Sequence, residues 1–267
     1  MAFVRRQTGG VTAFWWEVPG AAGTGTPVRA WFGTRLGGVS PPPFDTLNVS
    51  YAVRDLPEAV QENRRRLLAA GGRQLQDQVG ADQVHQDRVV WVGEAEQGTA
   101  VPHCDGLLTD RPGVVLAMGF ADCVPIFLVH PPSGTVGLVH AGWRGTRLGI
   151  AARAVAALAA HGIDPAGLVA GIGPSIGPCC YEVGEEVYRA VAGTAGDPGV
   201  GRPVPGTVDR YRLDLWEANR RILVAAGVRP EAVDVARLCT ACEARWFFSH
   251  RRDAGRTGRM GGYIWRM

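Results

Sequence analysis

Three residues of this chain could share one metal ion: His85 in QVHQDRVV, Cys123 in GFADCVPIFLV and His140 in GLVHAGW. Two imidazoles and a thiolate leave zinc an open fourth position for water or substrate. Each also has a plainer reading. A histidine near a strand end is first a hydrogen-bonded structural residue, and a free cysteine is first a small buried hydrophobe. Separations of 38 and 17 residues match no regular zinc spacing, so they permit a site without showing one. Of the other histidines, His161 falls in the last turn of a helix, where the carbonyl end favours an imidazolium. His103 and His130 read as loop residues, and His250 lies in the arginine loop FFSHRRDAGR.

The remaining chemistry belongs to arginine and cysteine. All 28 basic residues are arginine, so a P-loop, a pyridoxal Schiff base, a lysine aldolase and a kinase-type ATP site all lack their amine. Anions must be held by guanidinium forks. Arg144, just ahead of an expected helix start, is the foremost of these, since a helix N-terminus and a guanidinium together favour an anion. Cys239 and Cys242 form a single CxxC and Cys179 and Cys180 are vicinal; a four-thiolate zinc site from the two pairs would strain two adjacent ligands. Cys104, beside Asp105, carries no assignment. GIGPSIGPCC (171–180) looks like a dinucleotide loop, but its GxGxxxG spacing and two prolines remove donors from a phosphate cradle. A close approach of its backbone to some ligand is the remaining expectation.

Strands and helices alternate along the chain, which defines an α/β protein. VTAFWWEV (11–18) and VRAWFGT (28–34) read as a hairpin with a long loop across 19–27. GGVSPPPF (37–44) breaks regular structure, and Asp55 precedes a helix running to about Ala70. Residues 84–142 contain three or four buried strands. Thr146 opens an amphipathic helix that keeps Leu148, Ala151, Ala152, Val155, Leu158 and Ala159 on one face until Gly162. LVAGIG (168–173), VDVARL (233–238) and GGYIWRM (261–267) are strands, and VGEEVYRAV (183–191) is a helix. Asp214 and Glu217 form an acidic capping pair for a helix burying Leu215, Ala218, Ile222 and Leu223. Residues 193–207 are turn-rich and read as a mobile loop within one domain spanning 1–267.

Composition bounds the partners. At 267 residues and 46% hydrophobic content the chain buries a core without disulfide or metal support. A net charge of +3 and no basic run beyond Arg64 to Arg66 exclude a dedicated nucleic-acid surface. No apolar run approaches the ~20 residues of a membrane span, and no targeting segment is visible. The expectation is a cytoplasmic protein, read as a monomer, whose six cysteines stay reduced.

TRLGGVS, LNVS, QVHQ, CDGLLTD, ADCVPIFL, VHAGWRGT, GPSIGPCCYEVGEEV, LDLWEANRRIL and FFSHRRDAGRTGRM together resemble the laccase-domain proteins of the YfiH type, from about residue 28 to 267. That family was once called polyphenol oxidase and is now described as purine nucleoside phosphorylases. The resemblance implies a four-layer α/β/β/α sandwich with mixed β-sheets, similar to cysteine-hydrolase toxins of the cytotoxic necrotising type. It implies zinc held by His85, Cys123 and His140, with copper by substitution. It implies phosphorolysis of adenosine, inosine and S-methyl-5'-thioadenosine to base and ribose 1-phosphate, with deamination of adenosine. Cys123, His140 and Arg144 are the expected catalytic set, and Arg35, Asn48, Arg144 and Arg251 the expected substrate-binding set, the arginines for phosphate. Two departures from the family pattern are Phe120 before ADC and CDG at 104–106.

Two other enzymes compete. In a Cys/His amide hydrolase acting on cell-wall precursors, Cys123 would be the nucleophile and His140 its base. A copper phenol oxidase needs more imidazoles than six scattered histidines provide, and no HxH pair occurs. Copper in the His85 site could still give weak oxidation, because such a ligand set binds it avidly.

Overall fold

The computed structural model describes residues 3–18 and 27–267. The strands in chain order are β1 (Phe3–Thr8), β2 (Val11–Trp16), β3 (Val28–Gly33), β4 (Gln78–Ala81), β5 (Val89–Trp91), β6 (Ala100–Val101), β7 (Gly106–Thr109) and β8 (Val115–Phe120). They continue as β9 (Val124–His130), β10 (Thr135–Ala141), β11 (Val169–Ile172), β12 (Glu182–Gly184), β13 (Gly201–Pro203), β14 (Arg210–Leu213), β15 (Val233–Val235) and β16 (Met260–Arg266). The helices are α1 (Pro57–Ala70), α2 (Trp143–Arg147), α3 (Ile150–Ala159), α4 (Glu185–Ala195) and α5 (Leu215–Ala225).

These elements form a mixed α/β sandwich. One seven-stranded sheet runs β1-β2-β3-β16-β8-β4-β6 and a six-stranded sheet runs β15-β11-β9-β10-β7-β5. Alternation decides which face of each strand goes where. In β2, Phe14 and Trp16 enter the core shared by the two sheets. Val11, Ala13 and Trp15 turn outward to a second core with Trp31, Tyr263 and Trp265. Leu67 and Leu68 of α1 cover that second core and are fully buried, which stabilises the fold by about 1.5–3 kcal/mol per side chain. Helices α3 and α5 cover the far face of the six-stranded sheet through Ile150, Ala154, Ala218 and Ile222. The layers are therefore α/β/β/α. No described helix is long and apolar enough to cross a membrane.

Several expected boundaries shift for local reasons. The 11–18 and 28–34 segments do pair antiparallel, as β2 with β3; their connection, 19–26, lies outside the described residues. The region 84–142 holds six strands, since turns divide it more finely than its apolar runs show. The helix expected to open at Thr146 is two helices: Gly149, at φ 74°, breaks it between Arg147 and Ile150, a conformation glycine adopts without Cβ strain. Asp214 caps α5 by accepting from the Glu217 amide at 3.0 Å, and the expected inward residues of α5 are buried. Residues 193–207, expected as a mobile loop, carry the end of α4, a 3-10 turn over Pro198–Val200, and β13, which pairs with β14.

Candidate metal centre and active-site cleft

The strand register carries the candidate ligands together. Antiparallel β9 and β10 set His140 opposite Pro125 and Ala141 opposite Val124, so Cys123, just before β9, meets the end of β10. On the other flank β10 pairs with β7, with Val139 opposite Gly106, and the His140 amide donates to the Asp105 carbonyl at 2.7 Å. The ligand atoms of His85, Cys123 and His140 consequently lie within 4.8 Å of one another.

Asp105 organises two of the three. Its carboxylate is fully buried and bonds Nδ1 of His140 at 2.8 Å. It also accepts the backbone amides of Val84, His85 and Gln86 at 3.1, 3.0 and 2.9 Å. Three converging amides wrap the 84–86 turn around the carboxylate, and His85 sits there at φ 61°, an uncommon region for a residue with a side chain. With Nδ1 bonded to Asp105, Nε2 of His140 is left to face Cys123. Asp122 plays a parallel part beside Cys123. At φ 80° it accepts the Thr240 hydroxyl at 2.6 Å and the Arg251 amide at 2.7 Å.

Charge follows from this placement. Burial pushes the Cys123 thiol up, but the neighbouring His140 and His85 outweigh it and bring it down to about 6. Burial likewise pulls His140 down, and Cys123 and Asp105 overcome that to raise it to about 9. Both shifts favour a thiolate facing an imidazolium. Gly142 is required here: a Cβ would stand 2.9 Å from the Cys123 sulfur and 3.4 Å from the His85 ring. The donor set suits a divalent ion with an open position.

These ligands line one cavity of about 790 Å³. Arg144, Arg251 and Arg259 share its polar side, with His250 and Arg64, while Met118, Ile176, Tyr181, Leu215 and Tyr263 supply apolar wall. Among the described residues, Arg144, Arg251 and Arg259 form no salt bridge, unlike Arg35 with Asp45 and Arg252 with Asp253. Arg144 stacks on Trp143, and Arg259 is held by the carbonyls of Thr257 and Gly258. Burial pulls the Arg259 guanidinium below its usual value, opposed by Cys123 and Asp122.

Two expected substrate-binding residues are placed elsewhere. Arg35 does not line the cavity: it bonds the Asp45 carbonyl and carboxylate at 2.9 and 3.1 Å and stacks on Phe248. Asn48 is fully buried and works as a brace, donating to Asp55 at 2.8 Å and accepting the Arg259 amide at 2.9 Å. It therefore fixes the backbone of Arg259. The glycines of 171–180 answer to packing, since a Cβ on Gly171 would meet Trp16 at 2.7 Å and one on Gly177 would meet Trp216 at 2.5 Å. Phe120 packs behind His140, with ring centroids 5.5 Å apart. Asp105 and Arg259 went unassigned in the sequence. The one signal for Asp105 was a carboxylate immediately before strand residues able to pair with the His140 strand.

Fold and site define a laccase-like α/β protein with a two-histidine, one-cysteine centre, and the sequence profile of the multi-copper polyphenol oxidoreductase laccase family matches residues 29–267. The chain belongs to that family. It is 44% identical over 244 residues to a Geobacillus stearothermophilus protein named purine nucleoside phosphorylase YlmD, covering 87% of this chain and 88% of that one. It is 37% identical over 239 residues to Escherichia coli purine nucleoside phosphorylase YfiH, covering 89% and 93%. The crystal structure of YlmD from Geobacillus stearothermophilus superposes with a TM-score of 0.92 at 41% identity, covering 100% of this chain and 99% of that one.

Proposed function

We propose that this protein is a zinc-dependent purine nucleoside phosphorylase of the cytoplasm that cleaves adenosine, inosine and S-methyl-5'-thioadenosine and also deaminates adenosine. The observation that carries the reading is one cavity lined both by three side chains able to hold a metal ion and by three guanidiniums without acidic partners among the described residues. The names of the relatives support phosphorolysis.

His85, Cys123 and His140 would hold the ion, which when bound supplies Lewis-acid polarisation of an oxygen in the cleft. Arg144, Arg251 and Arg259 bind phosphate and keep it beside the anomeric carbon, where the bound anion balances the positive charge that develops on the sugar. A phosphate oxygen forms the new bond to that carbon as the bond to the purine nitrogen breaks, and the base leaves with the electron pair and takes up a proton. Met118, Ile176 and Tyr181 offer the apolar surface a purine needs. In deamination water adds to the amino-bearing ring carbon and ammonia leaves, in the same shielded cleft. Adenosine incubated with and without phosphate, with both adenine and inosine assayed, tests the proposal; purine release independent of phosphate sinks it.

A second reading has its own observation: Asp105 bonds His140, whose ring faces Cys123, and the thiol there is lowered, the arrangement of a cysteine hydrolase. Amide cleavage that survives a chelator and stops on alkylation of Cys123 would establish it. The copper oxidase reading is the weaker one, because among the described residues no third histidine joins His85 and His140 in a ligand group.

A further inference from the structure

Cys179, Cys180, Cys239 and Cys242 belong to no part of the cleft, yet their four sulfurs lie within 4.8 Å of one another. Two sulfur pairs approach closely, Cys179 with Cys242 at 3.5 Å and Cys180 with Cys242 at 3.3 Å. Zinc–sulfur bonds of about 2.3 Å in a tetrahedron put sulfurs about 3.8 Å apart, so modest side-chain adjustment completes the shape. The vicinal pair is not strained here. Pro178 to Cys180 form a turn in which the amides of Cys180 and Tyr181 both donate to the Gly177 carbonyl at 3.0 Å. That curvature directs two adjacent side chains to one side, where an extended strand would send them to opposite faces.

The most buried of the four sulfurs, that of Cys239, is reached by a backbone donor. The Gly177 amide donates to the Cys239 sulfur at 3.3 Å. Arg212 donates to the Cys179 carbonyl at 3.0 Å. A parallel bridge between Ser175 and Cys239 keeps the two loops in register. Cys239 is buried while Cys179 and Cys242 reach the surface, which leaves an entry path for an ion.

We propose that these four cysteines hold a second, structural zinc ion. Each thiol gives up its proton on binding, so one Zn2+ replaces about four protons. All four positions are filled by sulfur, so the ion is closed to substrate. Its task is to tie the 177–180 turn to the 239–242 turn. Thr240, inside the second turn, is the residue that braces Asp122 beside Cys123, and Arg252 clamps the same turn through the carbonyls of Thr240 and Ala241.

The test is zinc content of the full chain isolated under reducing conditions. Wild type should carry about two zinc ions, and His85→Ala and Cys242→Ser about one each, from different sites. Cobalt(II) substituted into the His85→Ala protein should give a near-ultraviolet thiolate charge-transfer band of four-thiolate intensity, which decides the matter if Cys242→Ser fails to fold. A wild-type content of about one zinc that His85→Ala removes entirely overturns the proposal. So does an intact mass showing two of these four cysteines joined as a disulfide in the freshly isolated protein.

Discussion

The Asp105 carboxylate bonds Nδ1 of His140 at 2.8 Å and at the same time gathers the amide of His85 at 3.0 Å. One buried acid thus sets the ring of one candidate ligand and the backbone of another. Asp105→Asn keeps the volume but offers an amide where three N–H groups and an imidazole need acceptors. Zinc affinity should fall about 10–100-fold, as for other partners of metal-bound histidine, measured by competition with a chromophoric chelator. Unchanged affinity would mean that His140 is oriented by packing alone.

Arg259 and Arg35 make a direct contrast. Arg259→Gln removes a guanidinium that lines the cavity, and hydrogen bonds to charged groups are worth about 1.5–3 kcal/mol. The KM for phosphate should rise about 10–100-fold. Arg35→Gln should leave phosphate dependence within about two-fold while lowering thermal stability, because its contacts are to Asp45 and Phe248 and such contacts contribute about 1 kcal/mol. Initial rates over a phosphate series and a melting curve separate the two effects.

Gly142→Ala introduces a methyl group 2.9 Å from the Cys123 sulfur. Its backbone, at φ −70° and ψ 174°, accepts alanine without strain, so the fold should survive. The forced displacement should cost about 1–3 kcal/mol, seen as an approximately 10–100-fold loss of zinc affinity. Native far-ultraviolet dichroism with full zinc retention would contradict the close approach.

The lowered Cys123 thiol gives a pH signature in the metal-free protein. With its value brought down to about 6 by His140 and His85, the thiolate is the main form above that pH and is lost as pH falls through it. Alkylation of Cys123 by iodoacetamide, followed by peptide mass spectrometry, should therefore rise around pH 6 and level off by about pH 7. His140, raised to about 9, should dampen any further rise until it deprotonates. In a His140→Ala protein the rise should move upward toward the ordinary thiol range. A wild-type profile rising only around pH 9 would show that the ion pair does not form.

Legibility in the sequence tracked the distance over which each interaction acts. The Asp214 cap and the inward face of α5 depend on neighbours three and four residues apart, and both were readable. His85, Cys123 and His140 stood out by type and strand-end position, although only the β9–β10 register brings two of them together. Asp105 was hidden because its partner lies 35 residues away across the β7–β10 pairing. Arg259 was hidden for another reason: among 28 arginines, residue type carries no signal, and burial in the cleft is a property of the fold. Arg35 is equivalent to them by type, and only the folded contacts with Asp45 and Phe248 set it apart. Gly149 leaves no mark on the apolar period, which continues across it, while the backbone turns there.

The most direct test combines zinc analysis with adenosine turnover on wild type and His85→Ala, each with and without phosphate. The prediction is adenine and ribose 1-phosphate formed by wild type only when phosphate is present, with the cleft zinc and that turnover both lost in His85→Ala. Phosphorolysis undiminished in a His85→Ala protein that has lost the cleft zinc would contradict the central claim that the metal centre and the arginine cluster act as one site.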